Sequence, residues 1–359
     1  MRNSFGNNFT VTLAGESHGE GITVIIDGIV PGVKIEKEAI EKALYLRRPS
    51  GDISTKRQEA DDFKILSGVF EGYTTGTPIT IFIPNTNTKS KDYSATRPFP
   101  RPGHADYSGH VKYGGFEDYR GGGHFSGRIT AGLVAAGAVA DAVLSGYGIR
   151  CATHVLACGG VYDRFFNESS YNSDIDFLNS TPFPVLDNEA AEAMREKIRE
   201  AAEAGDSIGG ITETVVTGVD AGIGEPWFDS VEGMISHAVF SVPGIKGIEF
   251  GAGFSFAGMT GSRANDAFYM EDGKIKTKTN NNGGINGGIT NGMPILFRCA
   301  VKPTPSIYKK QQTVNMQTGE DAILQIVGRH DPAIIHRAAS VISAVTRIAI
   351  VDLILTKNN

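Results

Sequence analysis

Two histidines lie in short loops of small residues, and both loops suit proton transfer. His18 follows Ser17 inside the motif G-E-S-H-G, and His104 ends the proline-rich stretch 97–104. Glycine lets a backbone come close to a ligand, and proline stiffens a segment in advance. Histidine gains or loses a proton near neutral pH without special tuning. The pattern indicates general acid–base chemistry at two places, with a hydrogen-bonded histidine in a structural turn as the alternative at each.

A Ser-His-Asp hydrolase is the other chemistry that the first loop suggests. A serine nucleophile needs its histidine within hydrogen-bond reach of its hydroxyl. Ser17 and His18 are neighbours in sequence, so we expect their side chains to diverge. Nucleophilic serine is therefore the weaker interpretation.

Arginines concentrate in the same segments as these histidines. They are Arg47, Arg48, Arg57, Arg97, Arg101, Arg120, Arg128, Arg329 and Arg337. A guanidinium group binds carboxylate and phosphate through two parallel hydrogen bonds. Because the chain as a whole carries a net charge of -6, this clustering predicts a substrate with several negative charges. The same net charge argues against a general nucleic-acid binder.

Three further segments have the composition of ligand-binding loops. Residues 120–128 read R-G-G-G-H-F-S-G-R before a predicted helix, where free N–H groups favour an anion. Residues 302–306 read K-P-T-P-S and offer a cation and two hydroxyls to a phosphate. Residues 280–288 combine glycine with asparagine, which suits either a solvent loop or a wall beneath a planar ligand. The chain contains no Walker loop, and we find no convincing dinucleotide fingerprint.

Composition indicates a soluble protein of a reducing compartment. The chain has 359 residues, 40% of them hydrophobic, which is enough for one large core or two modest ones. Its three cysteines are an odd number without metal-ligand spacing, so we expect neither disulfides nor a metal site. We find no secretory leader, and the most apolar stretch, 338–355, is interrupted by Arg347 and Asp352. We therefore expect a cytoplasmic protein without a membrane partner.

Hydrophobic periodicity outlines the scaffold that must position these residues. Runs of β-branched and aromatic residues predict strands, and apolar residues at helical spacing predict helices. We expect strands at 9–14, 22–27, 64–70, 79–83, 211–219, 247–256 and 294–301, and helices at 36–46, 128–144, 188–204, 230–240 and 332–355. Residues 162–183 are polar and irregular, which predicts a surface excursion. Asp331 would cap the last helix, with Pro332 in its first turn.

Taken in order, the motifs resemble those of the chorismate synthase family from Phe5 to about Leu355. The matching stretches are G-E-S-H-G, R-R-P, D-Y-S-A, R-P-G-H-A-D-Y, D-Y-R-G-G-G, G-D-S-I-G-G, G-I-G-E-P, G-G-I-N-G-G-I, K-P-T and G-R-H-D-P. The resemblance implies an α+β fold, a β-α-β sandwich in which antiparallel or mixed sheets pack around central helices. We expect one domain over residues 1–359. The strand–helix pattern leaves open whether this domain contains two similar halves, around 1–160 and 205–355.

Members of this family are carbon–oxygen lyases that act on a phosphate ester. The resemblance implies conversion of 5-enolpyruvylshikimate 3-phosphate (EPSP) to chorismate by a 1,4-anti elimination of phosphate. This is the last step of the shikimate pathway to aromatic amino acids. The resemblance further implies that the reaction needs reduced FMN although it involves no net redox change. It leaves open whether NADPH is the indirect reductant and whether a separate flavin reductase is required. It also implies a homotetramer.

The resemblance assigns roles to individual residues. His18 would protonate the departing phosphate, His104 would keep the reduced flavin correctly protonated, and Asp331 would help relay the C6 proton of the substrate. The substrate-binding residues would be Ser17, Arg47, Arg48, Arg128 and Arg337. The cofactor-binding residues would be Arg47, His124, Phe125, Ser126, Gly287, Lys302, Pro303, Thr304, Pro305, Ser306 and Arg329.

Two stretches depart from the family pattern. Residues 121–130 read G-G-G-H-F-S-G-R-I-T where better-known members read G-G-G-R-S-S-A-R-E-T, so an arginine and a glutamate are lost while Arg128 stays. Residues 302–306 read K-P-T-P-S in place of K-P-T-S-S. These changes concern individual flavin contacts. Two other functions therefore stay open. The chain could be a non-catalytic protein that binds a flavin or a phosphometabolite, or it could be a flavin-dependent oxidoreductase.

Overall fold

Two antiparallel sheets enclose two long apolar helices. The computed structural model describes residues 3–49, 51–54, 60–86, 97–326 and 331–357. The helices are α1 (Lys37–Arg47), α2 (Asp106–Tyr113), α3 (Thr130–Gly146), α4 (Tyr171–Leu178), α5 (Asn188–Glu203), α6 (Val231–Val239), α7 (Gly261–Ala264) and α8 (Ile335–Lys357). The strands are β1 (Ser4–Phe5), β2 (Thr10–Gly15), β3 (Gly21–Asp27), β4 (Lys64–Ser67), β5 (Val69–Phe70), β6 (Tyr73–Thr74), β7 (Ile79–Pro84), β8 (Arg150–Cys158), β9 (Val161–Tyr162), β10 (Gly210–Thr217), β11 (Ile245–Phe250), β12 (Phe268–Glu271), β13 (Lys274–Thr277), β14 (Ile285–Asn286), β15 (Ile289–Thr290), β16 (Ile295–Val301), β17 (Gln311–Val314) and β18 (Asp321–Leu324).

The first sheet has the order β1-β2-β3-β7-β4, and each neighbouring pair is antiparallel. In β3, Ile22, Val24 and Ile26 are fully buried, whereas Ile25 between them is 40% exposed. Side chains of a strand point alternately to its two faces, so this pattern gives the sheet one apolar face. That face packs on α3. Each buried side chain of this size stabilises the fold by about 1.5–3 kcal/mol.

The second sheet has the order β11-β16-β10-β8-β9 and is also antiparallel throughout. Its strand β8 is buried along almost its whole length, because α8 covers it from one side and α4 and α5 also contact it. Within β8, the fully buried His154 lies between Asp163, 2.9 Å from its Nδ1, and Glu213, 3.2 Å from its Nε2. A strand covered on both faces shows no alternation, and sequence analysis did not predict β8.

Helices α3 and α8 pack against each other between the two sheets, α3 on β3 and α8 on β8. By length and composition alone, both helices could cross a membrane. In the sequence, charged residues interrupt the stretch 338–355, which argues against a membrane span. In this fold their surfaces are mostly buried inside the protein instead. Gly137 of α3 permits the close contact, since an added Cβ there would lie 2.4 Å from Ala344 Cβ of α8.

A buried carboxylate of α8 holds the start of the chain. Asp352 is fully buried, and its Oδ1 accepts hydrogen bonds from the backbone N–H groups of Asn7 (2.9 Å), Asn8 (2.6 Å) and Phe9 (2.8 Å). Buried polar groups are stable only when such partners are present. Asp352 therefore fixes the segment that leads from β1 into β2.

Several element predictions are confirmed to within two residues at each end, and others are wrong. Residues 162–183 contain α4, which buries Ile175 and Leu178 against β8, so the segment is not irregular throughout. The strand expected at 64–70 breaks at Gly68, and the one expected at 247–256 ends at Phe250. The last helix begins at Ile335 and not at 332.

Candidate active site

Segments from the whole chain meet at one cleft of about 910 Å³. This volume lies near the upper end of the range of ligand pockets in proteins. The predicted site residues that line it are Arg47, Arg48, His104, His124, Phe125, Ser126, Arg128, Lys302, Pro303, Thr304, Pro305, Ser306, Asp331 and Arg337. Charged side chains occupy one part of the wall, and Leu133, Val341, Val345 and Ile348 from the central helices form an apolar floor.

His18 and Ser17 lie behind the cleft wall, directly under Gly121. A Cβ at Gly121 would lie 2.3 Å from His18 Cε1 and 2.8 Å from Ser17 Oγ. The Ser17 backbone N–H donates to the carbonyl of Gly123 at 3.1 Å. Both side chains are buried, so the loop is tightly enclosed and the ring of His18 has little room to move.

The expectation that the Ser17 and His18 side chains diverge is wrong, because Ser17 Oγ lies 3.1 Å from His18 Nδ1. The hydroxyl also donates to the carbonyls of Arg120 at 3.1 Å and Gly121 at 3.2 Å. A hydroxyl has one proton, so with that proton on a carbonyl, Ser17 accepts from Nδ1 of His18. Ser17 thus orients the ring and leaves Nε2 to exchange the second proton.

The letters G-E-S-H-G also fit the G-x-S-x-G pattern of a nucleophile elbow, which places its serine between a strand and a helix. Here the loop joins β2 to β3 in an antiparallel hairpin. Ser17 is fully buried and bonded to backbone carbonyls. The structural context of a serine nucleophile is therefore missing at this loop.

His104 is oriented by a carboxylate that sequence analysis did not select. Its Nδ1 lies 2.6 Å from Asp106 Oδ1, and Arg101 donates from Nε and Nη2 to the same carboxylate, both at 2.7 Å. Burial alone would raise the pKa of Asp106, but the hydrogen bonds from Arg101 and His104 hold it well below its ordinary value. A carboxylate that stays ionised accepts the Nδ1 proton, so Nε2 is the nitrogen directed past Gly122.

A second missed carboxylate organises the arginines of the cleft. Asp61 is fully buried in its side chain and accepts from Arg47 Nη2 at 2.9 Å and from Arg128 Nη1, with Arg48 Nε at 3.8 Å. Burial lowers the pKa of Arg47 to about 10, with Asp61 acting in the opposite direction. Asp61 has a φ of 51°, a left-handed backbone that is uncommon outside glycine.

Arg337 links this cluster to the start of α8. Its Nη1 donates to Asp331 Oδ2 at 2.6 Å, and its Nε donates to the carbonyl of Arg47 at 3.0 Å. Asp331 is therefore the partner of Arg337 and not a helix cap, which corrects the capping prediction. Four guanidinium groups, those at positions 47, 48, 128 and 337, face the two carboxylates of Asp61 and Asp331. The excess of positive charge suits an anionic ligand.

The K-P-T-P-S segment supplies a second group of polar atoms. Burial lowers the pKa of Lys302, and the neighbouring Lys246 lowers it further. Thr304 Oγ1 is buried and has no hydrogen-bond partner within the part of the chain that the structure describes. Ser306 is buried and accepts from Arg101 Nη1 at 3.3 Å. An orphaned buried hydroxyl beside a cation and a second hydroxyl fits an anionic ligand group such as a phosphate.

Residues 124–126, of which His124 and Phe125 depart from the family pattern, have local partners. His124 Nδ1 donates to the carbonyl of Gly15 at 2.8 Å, which ties the segment 120–126 to the loop of His18. Phe125 packs against Gly109, where an added Cβ would lie 2.6 Å from the ring. Ser126 Oγ accepts from the Arg128 backbone N–H at 3.3 Å. These side chains still line the cleft.

Besides Ser17 and His18 behind the wall, one further predicted site residue among the described ranges, Gly287, does not line the cleft. Gly287 lies in the turn between β14 and β15 and is not a lining residue. Arg329 lies outside the described residues, as do Arg57 and His330. The loop 280–288 has its own internal support, since Asp266 accepts from the backbone N–H groups of its asparagines.

Sequence analysis also missed one cleft wall, the segment between α6 and β11. It contributes Phe240, Val242, Pro243 and Gly244, and Lys246 follows at the start of β11. A Pro-Gly pair close to a lysine could have indicated this wall, because it predicts a tight turn next to a cation.

Comparison with known proteins decides the family. The sequence model of the family described as chorismate synthase matches residues 9–355. The chain belongs to the chorismate synthase family. Chorismate synthase of Methanocella arvoryzae is 46% identical over 351 residues, covering 98% of this chain and 93% of that protein. Chorismate synthase of Pyrococcus abyssi is 45% identical, covering 98% and 97%.

A solved structure described as a crystal structure of chorismate synthase is similar along the whole chain. It has a TM-score of 0.75 at 31% identity and covers 98% of this chain and 93% of its own. The family resemblance and the α+β fold are thus confirmed. The chorismate synthase family anchors R-P-G-H and K-P-T line the same cleft, and G-E-S-H-G lies directly behind its wall at Gly121.

Proposed function

We propose that this chain converts EPSP to chorismate by a 1,4-anti elimination of phosphate, as a carbon–oxygen lyase at the last step of the shikimate pathway. The observation that carries the proposal is the placement of two histidines beside the successive glycines Gly121 and Gly122, where Gly121 and His104 line the cleft. A Cβ at Gly121 would lie 2.3 Å from His18 Cε1, and one at Gly122 would lie 3.5 Å from His104 Nε2. The ring of His104 therefore lines the cleft, and the ring of His18 lies directly behind its wall at Gly121.

The arginine cluster supports the choice of substrate. EPSP carries a phosphate and two carboxylates, and guanidinium groups bind both kinds of anion in a bidentate manner. Arg47 and Arg128 are held by Asp61, and Arg337 by Asp331. Side chains that are oriented before the substrate arrives lose little freedom on binding it. We assign substrate binding to these arginines together with Arg48.

His18 supplies the proton that the departing phosphate needs. Phosphate leaves more easily when it is protonated, and a histidine can provide that proton near neutral pH. Ser17 orients the ring, so its part in substrate binding is indirect. Asp331, held by Arg337 at 2.6 Å, would help move the proton lost from C6 of the substrate.

The donor set of the cleft fits FMN. Lys302, Thr304 and Ser306 offer a cation and two hydroxyls for a phosphate, and Thr304 Oγ1 is otherwise unpartnered among the described residues. The apolar floor from α3 and α8 suits a flat ring system. When FMN is bound in its reduced form, the chemistry it would supply is transient electron density for the elimination, with no net redox change. His104 would keep the bound cofactor correctly protonated, and Pro303, Pro305 and the segment 124–126 would border it.

We further propose a cytoplasmic homotetramer that obtains its reduced cofactor from NADPH indirectly, through a separate flavin reductase or by its own reduction. Trp227 and Phe228 are 86% and 94% exposed. Exposed aromatic residues of this kind support self-association, since they are typical of surfaces that become buried in an interface.

An anaerobic assay with catalytic FMN, dithionite and EPSP tests the lyase proposal. We expect chorismate and phosphate in a one-to-one ratio, formed with reduced flavin and not with oxidised flavin. Net consumption of reductant with each product would identify an oxidoreductase and refute the proposal. Folded protein that binds EPSP and FMN without forming product would refute it in favour of a non-catalytic binder.

A further inference from the structure

Asn85 directly follows β7 and faces the turn that carries His18. Strand β7 pairs with β3 so that Pro84 lies opposite Gly21. The next residue of the chain therefore lies beside the turn 16–20, which joins β2 to β3. Asn85 is partly buried there. No motif of the sequence analysis included it.

Asn85 holds this turn through three hydrogen bonds. Its Nδ2 donates to the carbonyls of Glu16 and Gly19, both at 2.9 Å. Its backbone N–H donates to the carbonyl of Glu20 at 3.1 Å. Its Oδ1 accepts from Arg128 Nε at 3.1 Å. Because carbonyls only accept and a guanidinium only donates, these partners determine which way the amide points.

The turn is supported on its other side by the glycine-rich segment. The Ser17 N–H donates to the carbonyl of Gly123, and His124 Nδ1 donates to the carbonyl of Gly15. Asn85 provides the opposite support, and its amide also contacts a guanidinium of the arginine cluster. One side chain thus joins an anion-binding residue to the loop of the proton donor.

We propose that Asn85 is a positioning residue that holds His18 in place relative to the anion bound by Arg128. The inference rests on the proposed function, because His18 needs a defined distance to a leaving phosphate. The amide fixes the carbonyls on either side of the Ser17-His18 dipeptide. It also helps to fix Arg128, which in addition donates to Asp61 and to the carbonyl of Pro84. Asn85 therefore positions both His18, the proton donor, and Arg128, which binds the anion that accepts the proton.

Asn85→Asp tests this role with little change in shape. The acceptor for Arg128 is kept, but an oxygen replaces the nitrogen that donates to two carbonyls. Misplacement of a reacting group by about 1 Å costs on the order of 10²-fold in rate. We expect kcat at saturating EPSP to fall by roughly 10- to 10²-fold. If the aspartate variant does not fold, Asn85→Ala removes the same donors without adding a charge.

Asn179→Asp is the matched control. Asn179 Nδ2 donates to the carbonyl of Cys151 at 3.1 Å, and its Oδ1 accepts from Arg347 Nη2 at 3.1 Å. As in Asn85, the amide donates to a backbone carbonyl and accepts from an arginine, but Asn179 follows α4 and does not line the cleft. We expect its aspartate variant to keep kcat within about twofold of the wild type.

A double variant separates positioning of His18 from a general structural effect. If Asn85 acts through His18, it has little left to position once His18 is alanine, and the two changes are not additive. The double variant Asn85→Asp, His18→Ala should then have a kcat within about twofold of that of His18→Ala alone. An equal loss in both backgrounds, or wild-type kcat in the single variant, overturns the inference.

Hydrogen exchange gives a readout that does not depend on activity. We expect faster amide exchange in the segment 16–20 for Asn85→Asp and unchanged exchange there for Asn179→Asp. Unchanged exchange in both variants overturns the inference. Failure of the wild type to convert EPSP would instead overturn the proposed function, and the exchange data would still decide whether Asn85 holds the loop.

Discussion

Gly121 separates the cleft from His18, and its replacement by alanine tests how closely that histidine is confined. The added Cβ would lie 2.3 Å from His18 Cε1 and 2.5 Å from His18 Nδ1. Non-bonded carbon atoms pack at about 3.5–4.0 Å, so the ring would have to move by roughly 1.2 Å. Ser17 bonds to His18 and is itself 2.8 Å from the added atom, which means that the two side chains must move together.

A displacement of this size is large for a proton donor. Misplacement by about 1 Å costs on the order of 10²-fold in rate, and general acid catalysis contributes 10²–10⁴-fold in total. We therefore expect Gly121→Ala to lower kcat by about 10²-fold or more. The assay is anaerobic formation of chorismate and phosphate from EPSP with reduced FMN. Gly121 has a φ of +59°, so alanine there also costs roughly 1–2 kcal/mol of stability.

Gly148→Ala is the control that distinguishes the steric contact with His18 from the backbone strain of alanine at positive φ. Gly148 has a φ of +70°, and an added Cβ there would have no atom within 4 Å. We expect the same loss of stability in urea unfolding and a kcat within about twofold of the wild type. Wild-type kcat in Gly121→Ala would refute the reasoning, since it would mean that His18 can move without consequence or takes no part in turnover.

Three further variants test other parts of the structure. Asp61→Asn leaves two buried arginines without their shared carboxylate, so we expect a loss of about 3–5 kcal/mol in urea unfolding and weaker EPSP binding by calorimetry; unchanged stability would contradict this role. Asp352→Asn keeps one acceptor for three backbone N–H groups, and we expect it to lower the free energy of unfolding by about 1–3 kcal/mol, whereas an unchanged urea midpoint would argue against the anchor. Burial would lower the pKa of His154, but two carboxylates raise it, so its stabilising contribution is complete below the unfolded value of about 6.5 and is lost as the pH rises through the folded value. His154→Gln should flatten the decrease in urea midpoint as the pH rises above that unfolded value, and an identical pH dependence in both proteins would refute the assignment.

Features encoded in neighbouring residues could be predicted from the sequence. His18 and His104 stood out because each lies among glycines or prolines, and the arginines clustered in the same segments. Helix α1 was predicted because its apolar residues recur at helical spacing and Pro49 follows its end. These signals are local, and the chain does not have to fold for them to be visible.

The carboxylate that Arg47 and Arg128 share could not be predicted, because it comes from a distant segment. Asp61 lies fourteen residues after Arg47 and 67 before Arg128, and nothing in its surroundings distinguishes it from a surface aspartate. Asp331 shows the opposite error: the local pattern predicted a helix cap, but α8 begins only at Ile335 and the Asp331 carboxylate accepts from Arg337. Strand β8 was missed since burial on both faces removes the alternation on which strand prediction depends.

The position of α8 has a consequence for how the protein must be made. This helix lies between the sheets and contacts α1, α3, α6, β8 and β10, all of which precede it in the chain. During synthesis, every strand of both sheets therefore leaves the ribosome before the helix that separates them exists. Until α8 docks, the apolar faces of α3 and β8 have no partner there and can bind other chains instead. A chain of this family that stalls before α8 should form aggregates or remain bound to chaperones, and not a partly active enzyme.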